Sequence, residues 1–192
     1  MDCPIVETDR LILRPMGLAD WEAYAAAWAD TAMTAFIGGG PRDRNTSWSK
    51  YIAAAGLWPV CGFGYWSFIC RETGAFIGNG GLSRFERGIP ELDGVPEVGW
   101  AIVPSGWGKG YATEAVGAAL HWSDNVLKAP ETRCIIDPAN DASFRVAAKL
   151  GFVRLAEVES SLGQSVLMRR LKLPSAFASA RTAPDASPAH PI

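Results

Sequence analysis

Histidine is nearly absent from this chain: His121 and His190 are the only two among 192 residues. They lie far apart, with no H-E-x-x-H or similar cluster, so metal-dependent chemistry built on imidazole has little support. The cysteines lack a framework. Cys3, Cys61, Cys70 and Cys134 form no C-x-x-C pair and their gaps are long and irregular, which fits neither a disulfide scaffold nor a zinc site and suits a reducing cytoplasm. Excess positive charge is missing as well. Lys and Arg number 18 against 20 Asp and Glu, a net charge of -2, so nothing is available to condense on a phosphate backbone and nucleic-acid binding is not expected. The first ten residues carry Asp2, Glu7 and Asp9 where an export signal needs a basic start and an apolar core. Residues 51–70 hold no charge over about the length that spans a bilayer. Gly56, Pro59, Gly62 and Gly64 interrupt that stretch, and its second half, Tyr65-Trp66-Ser67-Phe68-Ile69-Cys70, is aromatic and β-prone, so helix, turn and strand is the simpler reading and no membrane partner is expected.

What is present is an ordinary globular composition, with 48% hydrophobic, 10% aromatic and 20% charged residues, enough for one domain. Residues 11–15 read as an opening strand ended by Pro15, and Asp20 is placed to cap an Ala/Trp-rich helix to about Ala29. Thr46 or Ser47 is placed to cap a second helix reaching Leu57. Strands 63–70 and 75–82 flank Arg71-Glu72-Thr73-Gly74 and predict an antiparallel hairpin. A charged loop, 84–94, leads to a strand over 97–103 that is expected to be central. After the glycine-rich Ser105–Tyr111, a helix over 112–127 is predicted, with Ala112, Ala115, Val116, Ala119, Leu120, Val126 and Leu127 on its apolar face. Strand 133–136, helix 141–150 stopped by Gly151, and closing strands 152–158 and 166–171 complete a domain over residues 1–172. The Ala/Pro/Ser-rich tail, 173–192, has little to bury and is expected to be disordered.

The loop between strand 97–103 and the following helix holds Gly106, Gly108 and Gly110. Glycines let backbone approach a ligand, and the free N–H groups of a helix start attract an anion such as a phosphate. Taken alone, three glycines are equally consistent with a tight turn. A P-loop is excluded, because Gly108-Lys109 is followed by Gly110 and Val103 occupies the first glycine position. A dinucleotide fold is a closer rival, since Ile135-Ile136-Asp137 puts an acid after the next strand, but the third glycine is displaced and the earlier strands read as hairpins. No G-x-S-x-G elbow or Cys/His pair supports covalent hydrolysis.

Three segments together carry more. Glu7-Thr8-Asp9-Arg10-Leu11-Ile12-Leu13-Arg14-Pro15, Gly106-Trp107-Gly108-Lys109-Gly110-Tyr111-Ala112-Thr113-Glu114-Ala115, and Asn140 to Lys149-Leu150-Gly151-Phe152 resemble, in order, the opening strand, coenzyme A loop and closing signature of the GNAT superfamily of N-acetyltransferases, in particular its ribosomal-protein-alanine (RimJ/RimL-like) branch. The resemblance spans roughly residues 7–172. It implies an α/β (α+β) fold with a central mixed, mostly antiparallel, splayed β-sheet flanked by helices. It implies acetyl-CoA as donor, with the pantetheine arm along the strand that holds Trp100, Ile102 and Val103 and the pyrophosphate on Trp107, Gly108, Lys109, Gly110, Tyr111, Ala112 and Thr113. Asn140 and Ser143 are implied to face the donor, although helix capping would also explain them. Glu97 is the implied general base, acting directly or through water. The family's usual tyrosine acid aligns with Ala147, and Ser143 is the candidate substitute. The implied reaction is direct attack of a primary amine, a protein N-terminus or a small amine, on the thioester. A catalytically silent acyl-CoA-binding module and, further off, a dinucleotide-binding enzyme are the alternatives. Glu86, Glu91 and Asp93 could attract a cationic acceptor but read better as a solvated loop. Many members dimerise, which places a second copy of the chain among the expected partners.

Overall fold

The structure, a computed structural model, describes residues 2–37, 39–160 and 163–172; the tail from residue 173 lies outside them. An eight-stranded sheet runs in the order β1-β2-β3-β4-β5-β6-β8-β7. Its strands are β1 (Val6–Glu7), β2 (Leu11–Arg14), β3 (Tyr65–Cys70), β4 (Phe76–Ser83), β5 (Glu97–Ile102), β6 (Glu131–Ile136), β7 (Val153–Ser160) and β8 (Gly163–Leu171). Every neighbouring pair is antiparallel except β5 and β6. One parallel pair rules out the doubly wound sheet of a dinucleotide fold, which needs parallel strands joined by helices throughout.

The helices divide between the two faces. On one side, α5 (Tyr111–Trp122) sets Ala115, Val116, Ala119 and Leu120 against Trp66, Phe68, Val98 and Ile102 of the sheet. On the other, α1 (Trp21–Trp28) and α3 (Arg44–Ala55) bring Tyr24, Trp28 and Tyr51 together with Met33 of the short α2 (Thr31–Thr34) and Ala101 of β5. Strand alternation explains the split, because successive side chains of β5 point to opposite faces. The turn α4 (Leu57–Cys61) brings Trp58 against Trp66 and Trp122, all three edge to face. The last helix, α6 (Asp141–Lys149), follows β6 and ends at Gly151, whose φ of 86° is the left-handed stop that glycine allows.

Several expectations need correction. Asp20 is buried and gives its carboxylate to Arg14 at 2.6 Å, so it makes no side-chain cap for α1. The cap of α3 is Asp43, three residues before Thr46, and Thr46 and Ser47 lie inside the helix: the Asp43 Oδ1 accepts the Thr46 N–H at 2.7 Å. The helix after the glycine loop changes to a single π-type turn over Ser123–Leu127. That turn rotates the helix face, which is why Val126 is 53% exposed and not in the apolar stripe. In the 84–94 loop Glu86, Glu91 and Asp93 are exposed, in line with a solvated reading of those carboxylates, while its other residues anchor it. Ile89 and Leu92 pack on Val158 and Leu167, and Arg87 returns to the sheet.

Candidate functional site

The sheet is open between β5 and β6. Their neighbours hold them by six residue pairs each, β4 to β5 and β8 to β6. Across the gap there is one pair, Glu97 with Arg133, where the Pro96 carbonyl accepts the Arg133 N–H at 3.1 Å. Beyond it the strands diverge. Residues of a strand alternate in the direction of their backbone groups, so Val98, Trp100 and Ile102 point theirs to the same side as Pro96. The Ile102 carbonyl is taken by the Trp107 indole N–H at 2.7 Å. The N–H and C=O of Trp100 face the gap, and no described strand pairs with them there.

The glycine loop sits at the far end of β5. Pro104–Gly106 make a single 3-10 turn, and a Cβ on Gly106 would come within 2.9 Å of the Ile102 side chain. Gly108 and Gly110 have φ of 72° and 80°, left-handed values that favour glycine, and Gly110 starts α5 without a side-chain cap. As a result the backbone N–H groups of residues 108–113 have no acceptor among the described residues. Six adjacent donors at a helix start suit an anion. The loop is also strapped from outside. Arg10 donates from Nη1 to the Lys109 carbonyl at 2.8 Å and from Nε to Glu114 at 2.7 Å, while the Thr8 hydroxyl donates to the other Glu114 oxygen at 2.6 Å. Burial alone would raise the Glu114 pKa; these donors outweigh it and hold the carboxyl below its usual range. Lys109 is exposed at the loop surface.

A cleft of about 730 Å³ opens from the gap toward α1 and α3. Val98, Trp100 and Ala101 line one side of it, Ile135, Asp137, Asn140 and Ser143 another, and Tyr24, Trp28, Arg42 and Tyr65 the far wall. Glu97 stands at the base, 4% exposed, with Oε2 accepting from Arg87 Nε at 2.6 Å. Its Oε1 has no partner among the described residues. The Tyr65 ring crosses the sheet above Gly81 and reaches Gly99, where a Cβ would collide with its hydroxyl. Burial, and then the negative charge of Glu97, push the Tyr65 phenol well above its ordinary pKa, so it stays protonated. Cys134, beneath the site, is likewise driven up by burial and by Glu97, which keeps it a thiol and not a nucleophile.

The sequence-derived residues fall into two groups. Glu97, Trp100, Asn140 and Ser143 line the cleft. Asn140 also caps α6, its Oδ1 accepting the Ser143 N–H at 3.0 Å. Trp107, Gly108, Lys109, Gly110, Tyr111, Ala112 and Thr113 form the donor-rich loop on the α5 side, and Ile102 and Val103 lead into it, Val103 lying just past the end of β5. Ala147 is wholly buried in the main core, away from the cleft. Sequence reasoning missed Tyr65, Arg87 and Arg42. Arg87 and Arg42 sit on loops whose return to the sheet has no local signature.

The model of the Acetyltransferase (GNAT) domain matches residues 10–153. The chain belongs to the GNAT acetyltransferase family. Among relatives, the uncharacterized N-acetyltransferase YoaA of Bacillus subtilis is 27% identical over 150 residues, covering 78% of this chain and 82% of its own length. Among solved structures, an acetyltransferase of Agrobacterium tumefaciens is 29% identical with a TM-score of 0.78, covering 88% of this chain and 95% of that one. The ribosomal-protein-S5-alanine acetyltransferase of Vibrio fischeri has a TM-score of 0.68 at 17% identity, covering 88% and 97% of the two chains, a likeness of fold alone. As a GNAT acetyltransferase the protein takes its acyl group from acetyl-CoA. The open edge of β5 offers backbone partners to an extended amide-bearing chain, and the N–H groups of residues 108–113, without acceptors among the described residues, offer a cradle to an anion.

Proposed function

We propose that the protein transfers the acetyl group of acetyl-CoA to a primary amine, on a protein N-terminus or a small molecule, by direct attack in a ternary complex. The observation that carries this reading is the cleft that joins the unpaired edge of β5 to the buried carboxylate of Glu97. The donor supplies an activated acyl carbon. In this reading the residues of loop 107–113 hold the pyrophosphate by their backbone N–H groups, Trp100 pairs with the pantetheine arm, and Ile102 and Val103 fix the approach of the loop. Asn140 and Ser143 close the opposite wall.

Glu97 receives the proton of the attacking amine on Oε1, while Arg87 keeps the carboxylate oriented through Oε2. The amine nitrogen adds to the thioester carbon, the negative charge that forms on the acyl oxygen is met by backbone N–H of β5 and by the protonated hydroxyl of Tyr65, and the carbon–sulfur bond breaks as the carbonyl re-forms. A preorganised donor of this type contributes about 10²- to 10³-fold in kcat. The leaving thiolate takes its proton from the Ser143 hydroxyl or from water. An α-amine with a pKa near 8 is partly neutral at physiological pH, whereas a lysine amine near 10.4 is not, so one carboxylate base suits an N-terminus or small amine better. The RimJ/RimL-like branch and a cytoplasmic location belong to this proposal; the latter draws support from four free cysteines.

The first test is a thermal-shift titration with acetyl-CoA, coenzyme A, NAD and ATP in parallel. A ligand at 100 times its Kd adds about 2.7 kcal/mol to native stability. Stabilisation by the coenzyme A pair alone, followed by amine-dependent thiol release, is the expected result. Stabilisation by NAD alone, or no thiol release with any amine, would overturn the reading.

A further inference from the structure

We propose that the acceptor is a primary amine that also carries an anionic group, a carboxylate or a phosphate, and that Arg42 is the seat of that anion. The inference rests on the transferase reading above and narrows its acceptor. Arg42 is fixed in place: its backbone N–H donates to the Trp28 carbonyl at 2.9 Å, and its guanidinium carbon lies 3.8 Å over the centre of the Trp28 ring. Trp28 is itself anchored by its indole N–H to Asn79 at 3.3 Å. A guanidinium stacked in this way keeps its edge for in-plane partners: the Tyr24 hydroxyl is one, and the remaining N–H groups suit a planar or tetrahedral anion.

No carboxylate among the described residues lies within ion-pair distance of Arg42. On the same side of the sheet Arg14, Arg44 and Arg87 are each matched, with Asp20, Glu22 and Glu97. The polar neighbours of Arg42 are the phenols of Tyr24 and Tyr65. Burial pushes Tyr24 up to about 12 and Tyr65 higher, so neither carries a compensating charge near neutrality. The other charges of the cleft are committed or solvated. Asp43 caps α3, Asp137 accepts the Ala139 N–H, Glu97 holds Arg87, and Lys50 and Glu86 are exposed at the rim. A half-buried cation whose described neighbours are neutral hydroxyls and no counter-charge is costly unless a ligand compensates it. The cleft therefore presents a fixed positive charge on one wall and a proton-accepting carboxylate at its base, the complement of an amine with an acidic substituent. A polyamine or aminoglycoside would bring like charge to Arg42 and be rejected.

The test is an acceptor panel of matched pairs read by thiol release: an amino acid with its amide and its decarboxylated amine, an aminoalkyl phosphate with its amino alcohol, and spermidine. Wild type is expected to favour the anionic member of a pair by about 10- to 100-fold in kcat/KM, mostly through KM, the size of a hydrogen-bonded charge contact. The carboxylate and phosphate arms say which anion is preferred. Arg42→Gln should collapse that ratio, and Arg42→Lys should retain part of it. Equal or faster turnover of neutral amines or spermidine, or a ratio that survives Arg42→Gln, overturns the proposal while leaving the transferase intact. If no amine of any charge releases thiol, titration calorimetry on the coenzyme A-saturated protein decides, and failure of every anionic member to bind overturns it as well.

Discussion

The hydroxyl of Tyr65 fills the space in which a side chain at Gly99 would begin. Tyr65 pairs with Gly81 on β4, and Gly81 pairs with Gly99 on β5, so the ring lies along a row of two glycines and delivers its hydroxyl beside the open edge of the sheet. An aromatic on β3 thereby serves a site built around β5, two strands away.

This relationship predicts a coupling. Gly99→Ala should destabilise the protein by about 1–3 kcal/mol, since the new methyl overpacks against the phenol. In a Tyr65→Phe background most of that cost should vanish, because the colliding atom has gone. Denaturant unfolding of the four proteins measures the interaction, and additive effects would show that the two positions do not meet.

Tyr65→Phe alone should lower kcat by about 10²- to 10³-fold with little change in acetyl-CoA affinity, if its hydroxyl steadies charge on the acyl oxygen. Steady-state kinetics beside a thermal shift with coenzyme A separates this from a folding defect.

Glu97→Gln is predicted to lower kcat by about 10² to 10⁴ while coenzyme A binding survives. It also strands Arg87, whose side chain is 23% exposed, so a lower Tm should accompany the lost activity. Turnover unchanged across pH would remove Glu97 from the mechanism.

Ser143→Ala tests the proton donor, and full turnover would dismiss that hydroxyl. Ala147→Tyr should not install a replacement acid. Ala147 is 0% exposed within the main core, so a phenol there overpacks the core and lowers Tm without raising kcat.

Glu114 predicts a pH signature. Its folded-state pKa lies below the unfolded value of about 4.3, so its stabilisation is present above that pH and is lost as the pH falls through the folded pKa. The Tm deficit of Glu114→Gln relative to wild type should be full near pH 7 and shrink below about pH 4. The same variant should weaken acetyl-CoA binding, because Glu114 holds the Arg10 side chain that fixes the Lys109 carbonyl.

The strand, glycine loop and helix from Glu97 to Trp122 were legible because each is local: alternating apolar residues, φ-permissive glycines, and an apolar stripe at helical spacing. The closing hairpin and the stop at Gly151 were legible for the same reason. The two-residue β1 was not, since Val6-Glu7 is too short to show a period. The cleft walls were hidden more deeply. Asp20 looked like a cap until Arg14 stood beside it, and the Tyr65–Gly81–Gly99 row exists only once the register of three strands is known. Arg87 and Arg42 are brought to the site by loops, and no spacing rule in the sequence announces a charge whose partner, or lack of one, is settled by tertiary packing.

The single bridge between Glu97 and Arg133 also divides the molecule mechanically. Strands β1–β5 form one plate and β6, β8 and β7 another, joined by one rung of the ladder, by α5, and by the 84–94 loop, whose Ile89 and Leu92 pack on Val158 and Leu167. Cooperative units of a protein follow such seams. In the absence of donor, the amides along the seam should exchange by opening of one plate from the other at lower cost than global unfolding; a donor lying in the seam supplies the missing rungs. On the proposed reading, substrate would then become part of the structural continuity of the sheet, and release of coenzyme A would at the same time loosen the fold.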